Sequence, residues 1–93
     1  MDTTHLKYFV AVAHTLSFSE AARRCGISQP SISHSISELE KQLHTTLFNR
    51  SRKSVSLTET GRALLPRALE ILELDEKTEL VRILNIPDLT VCI

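Results

Sequence analysis

The chain has little cysteine and no long apolar run, and both shortages narrow what it can be. Among 93 residues the only cysteines are Cys25 and Cys92, which are far apart and have no second cysteine nearby. This spacing fits neither a disulfide framework nor a zinc site, so Cys25 is expected to pack as a small apolar residue. No apolar run is long enough to cross a bilayer, and the start lacks a signal-peptide pattern. A cytoplasmic protein without a membrane partner is predicted.

The sequence also lacks a grouping of residues that would support metal binding or catalysis. Its four histidines are isolated from one another: His5, His14, His34 and His44. No metal site and no cofactor are therefore expected. The best catalytic arrangement places the serines at positions 31, 33 and 35 beside His34. Adjacent residues on a helix point in different directions, and no carboxylate is positioned to orient the imidazole, so an enzyme is not predicted.

The length and the charge distribution indicate how many domains the chain can form and what kind of partner it can bind. With 93 residues it should form one small domain without an appended ligand-binding domain, so no small-molecule effector is expected for this fragment. Residues 1–67 hold nine Lys and Arg against five Asp and Glu, a balance of +4, whereas residues 68–93 hold two against six, a balance of −4. The positive balance is ordinary scatter when taken alone, but it also suits a surface that meets a polyanion.

Residues 18–43 are predicted to form two short helices joined by a tight turn. Ser19 is the expected cap of the first helix, and Gly26 should end it through a positive φ. Ser28 is the expected cap of the second helix, with Pro30 in its first turn, where a missing N–H costs nothing. The second helix carries an amphipathic stripe of Ile32, Ile36, Leu39 and Leu43.

The opposite face of that second helix is polar and carries few long charged side chains. It presents Gln29, Ser33, His34 and Ser37. Amides, hydroxyls and an imidazole suit close approach to base edges and phosphates. The pattern predicts a helix-turn-helix at residues 18–37, with this second helix entering the major groove of double-stranded DNA.

The flanking segments complete a small domain. A first helix is predicted at 4–16, with Phe9 and Phe18 as the aromatic centre and Tyr8 toward the surface. Residues 47–49 and 55–57 have the composition of two antiparallel strands. The basic hairpin between them carries Arg50, Arg52 and Lys53. These cations could reach the DNA backbone or minor groove, although a solvated loop is the alternative reading.

Thr58 is expected to open a last helix with its own apolar stripe. The stripe consists of Gly61, Leu65, Ala68, Leu69 and Leu72. A second copy of the chain could cover it, or the stripe could cover only its own domain. Pro66 should bend this helix without stopping it. From Asp75 the stripe loses register, and Pro87 should end any helix.

The run SFSEAARRCGISQPSISHSISELEKQL, followed by LFNRSRKSVSLTETG, resembles the N-terminal domain of the LysR-type transcriptional regulators over about residues 6–72. The resemblance implies a mainly α fold: a winged helix-turn-helix at 1–58, with a three-helix core and a two-stranded wing, then a long dimerisation (linker) helix at 59–84. Residues 85–93 would be a tail, either the start of an effector domain or a divergent end. In this reading the linker helices of a homodimer pair antiparallel through Gly61, Leu65, Ala68, Leu69 and Leu72. The DNA-binding residues are Ser28, Gln29, Pro30, Ser33, His34, Ser37, Arg50, Arg52 and Lys53.

Two positions depart from the family pattern. Glycine is common at the position of His44, and arginine is usual at that of His34. A neutral imidazole offers one donor where a guanidinium offers a fork, so a weaker or pH-dependent DNA contact is expected at His34. A competing hypothesis keeps the fold but not the DNA reading, with the chain titrating full-length regulators through its last helix. The intact polar face and basic hairpin favour DNA binding.

Overall fold

The computed structural model describes residues 3–51 and 54–84, and side chains as far as Leu72. Within these residues, four helices and one two-stranded antiparallel sheet follow one another: α1 Thr3–Thr15, α2 Phe18–Cys25, α3 Gln29–Leu43, β1 Phe48–Arg50, β2 Val55–Leu57 and α4 Glu59–Leu84. This is the predicted winged helix-turn-helix followed by a long helix. None of the described helices is long and apolar enough to span a membrane.

One core joins the helices to the first strand. The α3 stripe behaves as predicted, since Ile32, Ile36 and Leu39 are fully buried while Leu43 is partly exposed. Phe9 and Phe18 are buried as expected. Sequence analysis missed that Phe48 joins them, with its ring centroid 5.5 Å from that of Phe9 and 5.7 Å from that of Phe18. Tyr8 and Cys25 are partly buried and pack against this core.

The cap of α2 differs from the prediction. Ser17, not Ser19, has the extended backbone of an N-cap, and its Oγ accepts the amide proton of Glu20 at 3.0 Å. The reason lies in the preceding residue, because Leu16 takes φ 53° and turns the chain sharply out of α1. The helix therefore begins at Phe18, and Ser19 lies exposed within its first turn.

Like α1, which is followed by Leu16 at a positive φ, the helices α2 and α3 end at residues with positive φ. Gly26 takes φ 72°, as predicted, and its amide reaches the carbonyls of Ala22 and Arg23. His44 takes φ 55° at the end of α3 and donates its amide to the carbonyls of Glu40 and Lys41 in the same way. A β-carbon makes this conformation costly, so His44 performs a glycine's role at some expense of stability.

The first strand begins one residue later than predicted. It runs Phe48–Arg50 instead of 47–49, and it pairs with β2 in the register Phe48 to Leu57 and Arg50 to Val55. The physical reason is that the Leu47 amide donates to the Glu40 carboxylate at 2.7 Å. Beyond Arg50 the Ser51 amide donates to the Ser54 carbonyl at 2.9 Å and closes the hairpin.

The last helix packs against its own domain, mainly on α1. Thr58 caps it as predicted, since the Gly61 amide donates to Thr58 Oγ1 at 3.0 Å. Ala68 and Leu72 are fully buried. A β-carbon at Gly61 would lie 2.3 Å from the Leu47 carbonyl oxygen, so only glycine fits there.

Of the two possible covers for this stripe, the chain's own domain encloses Gly61, Ala68 and Leu72, so these three residues are not available to a second copy. Leu65 and Leu69 are partly buried against the same core. Helix α4 does not stop at Pro66 and continues beyond Asp75. The predicted tail at 85–93 lies outside the described residues.

We predict that His44→Gly stabilises the protein. Glycine removes the steric cost of φ 55° at this helix end. Part of that gain is offset by the greater conformational freedom of glycine in the unfolded chain. The net increase in the free energy of unfolding is about 0.5–1 kcal/mol. Urea denaturation monitored by circular dichroism measures the gain. Gly26→Ala, at the equivalent end of α2, is the matched control and should destabilise by a similar amount; a His44→Gly protein no more stable than wild type contradicts the prediction.

A second prediction concerns acid stability. The Glu20 carboxylate accepts hydrogen bonds from Arg23 and Arg24, which lower its pKa from 4.5 to about 2. Because the folded-state pKa is depressed, the stabilisation is complete above about pH 4.5 and is lost as the pH falls toward 2. Glu20→Gln should therefore be less stable than wild type at pH 7, with the gap closing below pH 4.5. A gap between the urea midpoints that stays constant from pH 7 to pH 2.5 would contradict this assignment.

Candidate nucleic-acid interface

The exposed side of α3 carries the polar residues that the sequence predicted. Gln29, Pro30 and His34 are exposed, and Ser33 and Ser37 are partly exposed. The other side of the helix is fixed by the burial of its apolar stripe, so the polar side has to face outward. The helix therefore presents a surface without competing core contacts in its first turns, where amides and hydroxyls can approach a nucleic acid closely.

Ser28 defines where this surface begins. Its Oγ accepts the amide proton of Ser31 at 3.2 Å and contacts the Ser31 hydroxyl at 2.8 Å. Capping places Gln29 and Pro30 in the first turn, at the positive end of the helix dipole. Ser31 is itself exposed beside these residues. Sequence reasoning considered Ser31 only as a catalytic candidate, although its place in the first turn of α3 was the available signal.

A short row of charged groups follows along the exposed side of α3. His34 Nε2 lies 3.8 Å from Glu38 Oε1, and Lys41 Nζ lies 3.8 Å from the same oxygen. Glu38 thus lies between the imidazole of His34 and the ammonium group of Lys41. The Glu38 carboxylate can therefore compete with a DNA phosphate for the His34 imidazole. An arginine at position 34 could contact a phosphate with several donors at once, so this competition would matter less.

The start of α2, the start of α3 and the hairpin meet at one surface cleft. Its rim is polar apart from Leu16, Phe18 and Val55, and its hydroxyl and amide groups come from Ser17, Ser19, Gln29, Ser51 and Ser54. Leu16 is 44% exposed here while holding a positive φ. Gln29 and the hairpin, separate in sequence, are thereby brought together. Leu16, Ser51 and Ser54 were not among the predicted site residues, because their place in this cleft depends on which loops meet in space.

Of the three predicted hairpin cations, the structure describes one. Arg50 ends β1 and directs its guanidinium over the Phe18 ring, 4.6 Å from the centroid. Its Nη2 lies 3.6 Å from Glu40 Oε1. Arg52 and Lys53 lie outside the described residues. Among the side chains that the structure describes, no three His, Cys, Asp or Glu residues group as a metal site.

The chain matches known proteins in both sequence and fold. Residues 3–62 match the family profile described as the bacterial regulatory helix-turn-helix protein, lysR family. An HTH-type transcriptional regulator from the ibpB–leuC intergenic region of Azotobacter vinelandii is 53% identical over 78 residues, covering 84% of this chain and 54% of that protein. The HTH-type transcriptional regulator IlvR of Caulobacter vibrioides is 50% identical over 72 residues, covering 77% of this chain and 24% of that protein. The chain thus spans about half of the length of the first relative and about a quarter of the second.

Solved structures agree with these sequence matches. The DNA-binding domain of CbnR, solved in complex with DNA, has a TM-score of 0.77 at 42% identity, covering 80% of this chain and 85% of that one. The BenM DNA-binding domain bound to its catB site 1 DNA has a TM-score of 0.77 at 36% identity, covering 80% and 82%. From its sequence profile and its fold together, this chain belongs to the LysR family of bacterial helix-turn-helix regulators.

Proposed function

We propose that the chain binds double-stranded DNA sequence-specifically, as the DNA-binding module of a LysR-type transcription regulator in the cytoplasm. The observation that carries this proposal is the outward polar side of α3 beside the hairpin, where a nucleic acid would meet both at once. The DNA complexes of the CbnR and BenM domains, which share this fold, support it.

Each residue of the proposed interface has a distinct part. Gln29 can pair bidentately with adenine in the major groove, while the small Pro30 and Ser33 allow the helix to approach closely. His34 and Ser37 contact base edges or phosphates farther along α3. The Ser28 hydroxyl caps the helix and fixes its start. Arg52 and Lys53 supply cations for the backbone or minor groove, and releasing counterions there adds affinity irrespective of sequence.

We propose further that the protein acts as a homodimer through α4, with the two helices antiparallel. Because Gly61, Ala68 and Leu72 are enclosed within the domain, the contact has to use the apolar residues that flank them. These are Leu65 and Leu69, which are partly exposed and lie four residues apart on one side of the helix. An isologous pair of this kind predicts a two-fold symmetric operator with fixed half-site spacing.

The competing function is a protein that titrates full-length regulators without reading DNA. A selection of bound sequences from a random duplex pool, run at two salt concentrations, separates the two. The proposed function predicts recovery of a recurring motif at both concentrations, with weaker binding at the higher one. Recovery of no motif, by a chain that still associates with a full-length regulator, would favour titration.

We predict that Gln29→Ala loses discrimination at one base pair. Removing a bidentate amide from the first turn of α3 should cost about 1–3 kcal/mol at that pair and leave preferences elsewhere intact. The measurement is the affinity of both proteins for the selected duplex and for duplexes substituted at each position. Gln42→Ala, an exposed glutamine at the far end of the same helix, is the matched control and should change nothing. If Gln29→Ala keeps the wild-type pattern of preferences, Gln29 does not read a base.

We predict that Leu65→Glu combined with Leu69→Glu yields folded monomers with much weaker operator binding. Both changes bring negative charge into the proposed contact between the two α4 helices. Sedimentation equilibrium measures the association, and circular dichroism confirms folding. Ala63→Glu adds the same charge at another exposed position of α4 and should stay dimeric. Wild-type protein that is monomeric at concentrations of tens of micromolar, or a double variant that remains dimeric, removes this interface.

A further inference from the structure

Glu40 is an acidic residue of α3 that faces the hairpin instead of the solvent. Only 15% of its side chain is exposed. Its Oε2 accepts the amide protons of Leu47 at 2.7 Å and of Phe48 at 3.4 Å. Its Oε1 lies 3.6 Å from the guanidinium of Arg50. One carboxylate thus holds both ends of β1, the strand that leads into the hairpin.

Arg50 is held from a second direction. Its guanidinium lies over the ring of Phe18, the first residue of α2, and Phe18 in turn packs edge-on against Phe48. Contact with the ring face and with a carboxylate satisfies a guanidinium electrostatically. The side chain is 41% exposed, yet its charge is already matched by Glu40 within the domain. The two residues therefore connect α2, α3 and the hairpin at one point.

We propose that Glu40 and Arg50 are positioning residues for DNA binding, which hold the hairpin at a fixed place relative to the recognition helix α3. This inference rests on the proposed function, and it replaces the sequence-based assignment of Arg50 as a phosphate-binding cation. Gln29 shares a cleft with Ser51 and Ser54, so a shift of the hairpin changes the distance between base contacts and backbone contacts. DNA offers its phosphates and base edges at set spacings, so such a shift lowers affinity.

A positioning role for Glu40 and a purely electrostatic effect of its charge predict opposite changes in DNA affinity for the substitution Glu40→Gln. Glu40→Gln removes a negative charge from a protein that binds a polyanion, and long-range electrostatics alone would tighten binding. If Glu40 positions the hairpin, the same change weakens binding, because Arg50 loses its partner. Glutamine keeps an oxygen that can accept the Leu47 amide proton, so the variant should still fold.

The test is a double-mutant cycle on DNA affinity. Wild type, Glu40→Gln, Arg50→Gln and the double variant are titrated against one duplex that the wild-type protein recovers from a random pool. Each single variant should bind about tenfold more weakly, and the double variant should bind no more weakly than the weaker single variant, since both changes break one contact. Glu38→Gln is the matched control: it removes the same charge from a partly exposed site of α3 that does not contact the hairpin strands, and it should bind as wild type or tighter.

Each other outcome overturns the inference. Tighter binding by Glu40→Gln, with an additive loss from Arg50→Gln, identifies Arg50 as a phosphate contact. If both variants lose stability by circular dichroism but their folded fractions bind as wild type, the pair only stabilises the fold. If the wild-type protein recovers no duplex from the random pool, the proposed function itself is rejected. If the wild type binds DNA but the effects of the two substitutions add, only the positioning role is rejected.

Discussion

The structure depends on the burial of one stripe of α3. Ile32, Ile36 and Leu39 are withdrawn from water against the rest of the core, which at roughly 25 cal/mol per Å² of apolar surface is the largest favourable contribution that these side chains make. Because a helix is rigid, fixing one side fixes the other. The polar residues of α3 are therefore held outward by packing on the opposite side and need no contacts of their own.

The ends of the helices determine where the polar surface of α3 begins and which residues border it. Gly26 and His44 both take left-handed conformations, and Ser17 and Ser28 cap the helices that follow their turns. Leu16 carries the least favoured of these conformations, as a branched apolar residue with a positive φ at the cleft where the helix starts meet the hairpin. Such backbone strain is kept where the surrounding structure over-determines it, which is common at functional sites.

The described contacts that bind the hairpin to the domain are of mixed kinds. Glu40 supplies charge-assisted hydrogen bonds to the start of β1, while the Phe18 ring supports the guanidinium of Arg50 at its end. Gly61 adds the close approach of α4 to the Leu47 carbonyl, where a side chain has no room. Helix α3, the hairpin and α4 thus converge on the short segment around Leu47, so a change there would alter the packing of all three.

Much of this protein was determined by its sequence. The stripe of α3, the cap at Ser28, the turn at Gly26 and the second strand are local patterns, and periodicity together with capping and turn residues is enough to place them. Only the tertiary structure decided which partners meet. Ser17 replaced Ser19 as a cap because Leu16 turned the chain. Ala68 and Leu72 were buried within the domain, where α4 packs mainly on α1, and no spacing along α4 could have indicated this. Arg50 looked like a free cation because Glu40 and Phe18 lie far from it in sequence; their proximity follows from the packing of three elements, which local propensity does not encode.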